Sequence, residues 1–347
     1  MRAAVAMGAV AAAAMVGAAA NASAAPRPAV EAAIPAVPSS PVSTATVGYP
    51  PVSTIPGTTC PATPANSWWH ADITRLPRHP RSAQWLSNMG AATRRLHPDF
   101  GPAYGEQPVP YGIPITVVRG APQVPVRFDY AAESDRIRYP LSRQTKIEGG
   151  WAAEGDRHAI VVDALTCRLY ETWDTHLGAN GWWAGSGASW LLRSNVLRPA
   201  GWTSADAAGL PILPGLLRFD EVARGRVDHA IRFTTNRTSR AYLWPARHQA
   251  GATTNPAYPP MGARFRLKAS FPIAGYSPQA RVVLTGMKKH GMVLADNGSQ
   301  WYFQGTSDPR WAEELIDQLK RVPASAFEAV DTRRLMISAN SAAVRLP

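Results

Sequence analysis

The sequence contains only two cysteines in 347 residues, Cys60 and Cys167. Two thiols exclude a four-cysteine metal site and allow at most one intramolecular disulfide. In an oxidising compartment we expect these two residues to pair, which would connect the start of the domain to its middle. Two unpaired thiols are the alternative, because spacing alone does not show that the residues are close in space.

Several catalytic signatures are also missing. The chain has no His-Glu-x-x-His zinc motif and no Walker loop, and its glycine-rich segment 185–189 matches neither the nucleophile elbow of hydrolases nor the dinucleotide fingerprint. No His and Asp residues have the spacing of metal ligands, so we expect no metal and no cofactor. The chemistry that remains available is that of Asp, Glu, His, Trp and Tyr side chains.

Long apolar runs are absent after the first 24 residues. The N-terminus itself has Arg2, an Ala-rich apolar run to Ala20, and the small-x-small pattern Ala22-Ser23-Ala24. This pattern predicts a signal peptide over residues 1–24, and we expect a secreted, extracellular protein without a membrane span. A transmembrane anchor is the alternative, but the run is rich in Ala rather than Leu and ends in a cleavage pattern.

The mature chain divides by composition. Residues 25–59 are dominated by Pro, Ala, Val, Ser and Thr, which predicts a disordered linker. Residues 60–347 are long enough to form one large core, to which the 12 tryptophans of the chain would contribute large apolar side chains. We therefore expect a single domain over residues 60–347.

The formal net charge is +12 and the isoelectric point about 10.1. The basic residues are scattered among Trp, Pro and acidic residues and form no run, and export removes the usual nucleic-acid target. We expect no nucleic-acid partner. Anionic polymers of the cell wall or the environment fit this charge better.

Short β-branched segments separated by Pro and Gly predict a mainly β fold, either a jelly-roll-like β-sandwich or a barrel, with a few peripheral helices. The Asn297-Gly298 pair predicts a tight hairpin between 292–296 and 301–304. Helices are expected at 81–96, 277–291 and 308–320. Strands are expected at 115–118, 124–130, 159–163, 168–173, 188–192, 230–235, 241–244 and 263–269.

A first group of chemically active residues surrounds the predicted strands 159–163 and 168–173. Carboxylates with nearby indoles suit a saccharide cleft, because carboxylates supply acid and base while aromatic faces stack on sugar rings. The alternative is an ionic pairing that locks a loop, with the indoles filling the core. The residues concerned are Asp156, His158, Glu171, Trp173, Trp182 and Trp183.

A second group lies in the Gly- and Pro-framed segment 201–216, which carries Trp202 and Asp206. This segment is too apolar for an idle surface loop, so it could pack under a cleft and present Asp206 as an acid, base or nucleophile. The alternative places Asp206 in the first turn of a short helix, where its charge favours the helix dipole.

A third group contains His229 with Asp220, Glu221 and Asp228, followed by His248. His229 could line a cleft, although a hydrogen-bonded structural role is the more frequent one for such a histidine. Asp296 precedes the Asn-Gly pair, where a role in forming the turn is favoured.

The motifs also resemble a family of exported proteins of actinomycetes and other soil bacteria. The resemblance implies export and a single domain of about this length, and it brings no established activity or catalytic residues to carry over. The matching segments are His97-Pro98-Asp99-Phe100-Gly101, Gly155-Asp156-Arg157-His158, Gly201 through Gly215 with its Gly-Trp-Thr-Ser-Ala-Asp start, and Pro260 through Ala269.

The leading hypothesis is a secreted glycoside hydrolase acting on an extracellular or cell-wall polysaccharide. Two catalytic carboxylates would come from Asp156, Glu171 and Asp206. His158 and His229 would position the substrate together with the tryptophans at 173, 182, 183 and 202. The alternatives are a non-catalytic polysaccharide-binding module that uses the same tryptophans, and a structural envelope protein held by its basic charge.

Overall fold

The computed structural model describes residues 52–104 and 109–345. The predicted signal peptide and most of the predicted linker lie outside these residues. The described residues fall within one compact unit. Ile55 is only 1% exposed and its N–H donates to the Cys60 carbonyl at 2.8 Å, so the packed part includes residues that precede Cys60.

The described chain is mainly β, as predicted, with only a few helices. The strands are β1 (His97–Asp99), β2 (Gly101–Tyr104), β3 (Val109–Tyr111), β4 (Ile115–Val118), β5 (Val124–Phe128), β6 (Arg138–Tyr139), β7 (Ala159–Asp163), β8 (Arg168–Trp173), β9 (His176–Gly178), β10 (Gly181–Ala184), β11 (Ser186–Leu191), β12 (Ile231–Thr235), β13 (Arg264–Leu267), β14 (Met292–Asn297), β15 (Tyr302–Gln304) and β16 (Phe327–Val330). The α-helices are α1 (Ser82–Asn88), α2 (Phe219–Ala223), α3 (Pro278–Lys289) and α4 (Glu313–Lys320).

The strands form four hydrogen-bonded sheets. The six-stranded sheet has the order β1-β15-β12-β14-β13-β16, and the two four-stranded sheets have the orders β6-β5-β10-β9 and β11-β8-β7-β4. β2 and β3 form a separate ribbon. Parallel pairs, such as β12 with β14 and β4 with β7, occur beside antiparallel ones, which a purely antiparallel jelly roll would lack.

The predicted hairpin at Asn297-Gly298 is wrong. Strands β14 and β15 do not pair with each other, because β12 lies between them, parallel to β14 and antiparallel to β15. The chain still turns after Asn297, but a strand from much earlier in the sequence fills the space between the two arms.

The strand predictions differ in accuracy. β4, β7 and β8 have the predicted bounds. The predicted strand at 241–244 is absent: Tyr242 makes one isolated bridge to Met261, and Pro245, which has no N–H to donate, follows at once. The two faces of β7 pack in different core clusters, since Ile160 and Val162 lie in one cluster and Ala159 and Val161 in another.

The helices differ in how well the sequence predicted them. α3 begins after Ser277, whose side chain accepts a hydrogen bond from the Ala280 N–H, and it closes before Gly291 as predicted. α1 ends at Asn88, eight residues before the predicted end, because Gly90 adopts a φ of +66° just after its last turn. α4 begins at Glu313 rather than near Asp308.

The predicted disulfide is confirmed. Cys60 and Cys167 are bonded, with 5.4 Å between their Cα atoms, so the start of the domain is joined to the turn between β7 and β8. None of the helices in residues 52–104 and 109–345 is long and apolar enough to cross a membrane.

Candidate functional site

A cleft of about 320 Å³ opens where the ends of β8 and β14, the start of β11 and several loops meet. The long apolar loop 201–216 contributes residues 203–205 and 207 to its lining, so this loop does pack under a cleft. The remaining chemically active side chains of the lining are three carboxylates, two aromatic rings and an imidazole: Glu133, Asp156, Asp296, Tyr130, Trp173 and His248.

One wall of the cleft is aromatic. The rings of Tyr130 and Trp173 have centroids 6.3 Å apart and are inclined at 47°. Gly185 brings them together, because its N–H donates to the Trp173 carbonyl at 2.8 Å while its own carbonyl accepts from the Tyr130 N–H at 2.9 Å. A Cβ at Gly185 would overlap the Trp173 indole, so only glycine fits this position. The indole N–H donates to the exposed Asp156 carboxylate at 3.2 Å and orients it.

The Asp296 carboxyl group of the cleft lies next to a buried ion pair between Asp206 and Arg232. Asp206 is fully buried and accepts two hydrogen bonds from Arg232, at 3.1 and 3.2 Å. The same guanidinium lies 3.8 Å from Asp296, whose side chain is 26% exposed and also accepts from the Ala207 N–H at 3.1 Å.

The charges of Asp206 and Arg232 compensate each other. A second negative charge on Asp296 is therefore disfavoured. Burial, reinforced by the nearby Asp206 carboxylate and opposed by Arg232, raises the pKa of Asp296 to about 7. A carboxyl group that faces a cleft and titrates near neutrality is suited to act as a general acid.

His158 lies behind the cleft rather than in it. It is 4% exposed, with Nδ1 at 2.6 Å from a Glu148 oxygen and Nε2 at 3.2 Å from the Ala205 carbonyl. Burial opposes protonation, but Glu148 outweighs it and raises the pKa of His158 to about 9. Both ring nitrogens face acceptors, which matches a doubly protonated imidazolium that connects β7 to loop 201–216.

Glu171 is completely buried and anchors the same loop. Its two carboxylate oxygens accept the N–H groups of Ile212 and Leu213, each at 2.8 Å. Burial, opposed by these two hydrogen bonds, raises the pKa of Glu171 to about 7. Because Glu171 is absent from the cleft lining, the structure does not bring it together with Asp156.

Among the predicted tryptophans only Trp173 lines the cleft. Trp182 is 7% exposed and packs near Trp151, with ring centroids 5.8 Å apart. Trp183 stacks on His176 at 4.3 Å, and Trp202 lies against the Arg198 guanidinium at 5.5 Å. These three contacts are ordinary packing and cation–π interactions outside the cleft.

His229 belongs to a separate buried cluster. Its Nε2 lies 3.0 Å from Glu221, which pairs with Arg218, and its Nδ1 lies 2.7 Å from the Ala230 carbonyl. This is the structural role that the sequence favoured for such a histidine. Within the described part of the chain, no group of three or more His, Cys, Asp or Glu side chains is arranged to hold a metal ion.

Sequence reasoning missed part of the cleft. Tyr130 and Glu133 flank and end a single-turn 3-10 helix, Ala131–Glu133, which follows β5 without a recognisable motif, and nothing local connects them to Asp156. His248 was noted but not assigned to a site, and Asp296 was interpreted as a turn former. One pattern in the sequence could have identified Asp296. It follows the fully apolar run 292–295 in the same strand, and a carboxylate at such a position must be compensated by groups from other elements.

A search of protein-family models, of curated proteins and of solved structures found no match to this chain.

Proposed function

We propose that the protein is a secreted carbohydrate-active enzyme, a glycoside hydrolase that binds an extracellular or cell-wall polysaccharide in the cleft of Asp156 and Asp296. The observation that carries the proposal is a cleft-facing carboxyl group, Asp296, whose pKa is raised to about 7, in the same cleft as the ring faces of Tyr130 and Trp173. Aromatic faces bind the apolar faces of sugar rings, and paired carboxyl groups supply acid and base.

The two carboxyl groups have different environments, as the reaction requires. Asp296 is partly enclosed and retains its proton up to about neutral pH, so it would protonate the leaving glycosidic oxygen. Asp156 is exposed and is oriented by the Trp173 indole N–H, so it would act as the base or nucleophile.

The structure changes the roles expected for Glu171 and Asp206. Both are 0% exposed and both have their oxygens engaged, so neither is placed to contact a polysaccharide. Under the proposal they are positioning residues. Glu171 holds loop 201–216 in place, and Asp206 keeps Arg232 from neutralising Asp296.

The disulfide supports the choice of an extracellular substrate. A Cys60–Cys167 disulfide persists in oxidising compartments, which agrees with the signal peptide predicted over residues 1–24. The proposed linker would separate the catalytic unit from the cell envelope.

The test is product release from a panel of plant, fungal and bacterial wall polysaccharides by the mature protein. We expect release by the parent chain and its loss in Asp296→Asn and Asp156→Asn. Asp317→Asn, which changes an exposed aspartate on α4, is the matched control and should retain activity. Unfolding curves would verify that each variant is folded.

Two other results would contradict the proposal, the first the hydrolase activity and the second the role of Asp296. Binding without release across the panel would favour the non-catalytic polysaccharide-binding module. Release that persists in folded Asp296→Asn would show that the acid is another group.

A further inference from the structure

We propose that the saccharide bound in this cleft carries free amino groups, and that Glu133 together with the ring faces of Tyr130 and Trp173 holds one of them as an ammonium ion. This inference rests on the proposed function, because it takes the cleft to be a sugar site. It names the substrate class, a polysaccharide of amino sugars, and it assigns a specificity role to Glu133.

The first observation is an aromatic corner. Tyr130 and Trp173 both line one cleft, with ring centroids 6.3 Å apart and ring planes inclined at 47°, and Tyr130 is 56% exposed. Two aromatic faces beside a carboxylate form the type of cage that recognises ammonium groups, because the electron-rich ring faces attract a cation. A neutral sugar ring needs one such face for stacking, so a second inclined face beside a carboxylate indicates a cationic group.

The second observation is that Glu133 is fixed in place but has no part in the proposed reaction. Its backbone N–H donates to the Tyr130 carbonyl at 3.1 Å, which holds the carboxylate and the ring on one turn. Its Oε2 accepts from the Thr203 N–H at 3.1 Å, and its side chain remains 35% exposed. His248 Nε2 lies 3.7 Å from the same oxygen.

The third observation is the sign of the charge that lines the cleft. Glu133 and Asp156 contribute carboxylates, Asp296 contributes a carboxyl group that is mostly protonated in mildly acidic buffer, and no Lys or Arg is among the described residues that line the cleft. Two guanidinium groups lie behind the lining, Arg232 and Arg198, and each is 3% exposed and paired with a carboxylate, Asp206 and Asp135 respectively. An anionic sugar such as a uronate would therefore meet only acidic groups and one imidazole, whereas an ammonium-bearing sugar would be attracted.

The contrast with the whole chain strengthens the point. A protein with a net charge of +12 has an excess of basic side chains from which to build a cleft, and this cleft contains none of them. A basic cleft would be expected if the substrate were one of the anionic polymers that the net charge attracts. The local charge thus indicates a substrate of the opposite sign.

The experiment compares calorimetric binding of three oligosaccharides of equal length to the mature protein in mildly acidic buffer, where amino groups are protonated. The probes are oligomers of glucosamine, N-acetylglucosamine and galacturonic acid. We expect the glucosamine oligomer to bind about tenfold more tightly than the N-acetylated one. We expect the galacturonate oligomer to bind most weakly.

Three variants test whether Glu133 and the rings of Tyr130 and Trp173 cause that preference. Glu133→Gln retains an acceptor for the Thr203 N–H and should reduce the tenfold preference to about unity. Tyr130→Leu, which removes one ring face but keeps an apolar side chain, should reduce it by about threefold. Glu154→Gln removes an exposed carboxylate from a nearby loop outside the cleft lining and should leave the preference unchanged.

Equal or tighter binding of the N-acetylated or uronate oligomer would overturn the inference, as would a preference that survives in folded Glu133→Gln. Failure of the proposed function gives a different result. Preferential binding of the glucosamine oligomer without cleavage would support the inference and refute the hydrolase. Cleavage of neutral oligomers without any binding preference would support the hydrolase and refute the inference.

Discussion

Replacing Asp206 by Asn should lower the pKa of Asp296. In the parent protein Arg232 donates two hydrogen bonds to Asp206 and lies 3.8 Å from Asp296. The substitution removes the negative charge that now compensates Arg232 and that also repels a charge on Asp296. The guanidinium is then left with Asp296 as its nearest carboxylate, which favours the ionised form of that group.

The magnitude follows from the charge that is removed. The Asp206 carboxylate raises the pKa of Asp296, and a nearby charge typically shifts a carboxyl pKa by about 1 to 3 units. The Asp296 side chain is 26% exposed, so solvent screens part of this interaction. We therefore expect the pKa of Asp296 to fall from about 7 by about 1 to 2 units.

Carbon-13 NMR of the side-chain carboxyl groups measures this pKa directly and independently of any activity. If Asp296 is the general acid, activity falls as the pH rises through its pKa, so the alkaline limb of the activity profile should move down by the same amount. The double variant Asp206→Asn with Arg232→Met removes both charges, and should return the pKa to about 7 or above. An unchanged or higher pKa in the folded single variant would refute the assignment of charges in this cluster.

Three further predictions concern other parts of the molecule. Cys167→Ser should lower the free energy of unfolding by about 4 to 5 kcal/mol in urea titrations, since the disulfide closes a loop of 107 residues; a loss below about 1 kcal/mol would contradict this chain-entropy argument. The pKa of His158 is raised from 6.5 to about 9, so its contribution of about 3 kcal/mol is fully present below pH 6.5 and is lost as the pH rises through about 9. A His158→Gln variant should therefore show a flatter stability profile over that window, and an unchanged slope would exclude the ion pair as its cause. Trp173→Phe retains a ring face but loses the N–H that orients Asp156, so product release should fall by about tenfold with little change in polysaccharide binding, whereas equal losses of both would assign the indole to binding alone.

The sequence predicted best those features that depend on neighbouring residues. Strands β7 and β8 follow from short runs of apolar and β-branched residues bounded by turn residues, and α3 follows from a serine cap, a proline at its first position and a glycine after its end. The Asn297-Gly298 turn shows the limit of such reasoning. Turn chemistry predicts that the chain reverses, but it cannot detect that β12, from a distant part of the sequence, is inserted between the two arms.

The same limit applies to the site. Asp156 and Trp173 were predicted to lie together because both flank the β7–β8 unit, whereas Tyr130 reaches Trp173 through Gly185, a contact that needs the folded backbone. Burial could not be predicted from the sequence either. The sequence shows only that Glu171 is a carboxylate on a strand. The packing of loop 201–216 shows that its two oxygens accept hydrogen bonds from two backbone N–H groups.

Global and local charge would act over different distances in this protein. At physiological ionic strength charges are screened over about 8 Å, so a net charge of +12 spread over the surface governs adhesion to extended anionic material and not the events inside one cleft. Inside the cleft, Glu133 and Asp156 lie beside the rings of Tyr130 and Trp173, where their charges act on a bound group at short range. Under the proposed function, a basic exterior would keep the protein on an anionic wall while the acidic cleft selects amino-bearing segments of it. Added salt should release the protein from anionic polymer at concentrations that leave the preference for amino sugars within the cleft largely intact.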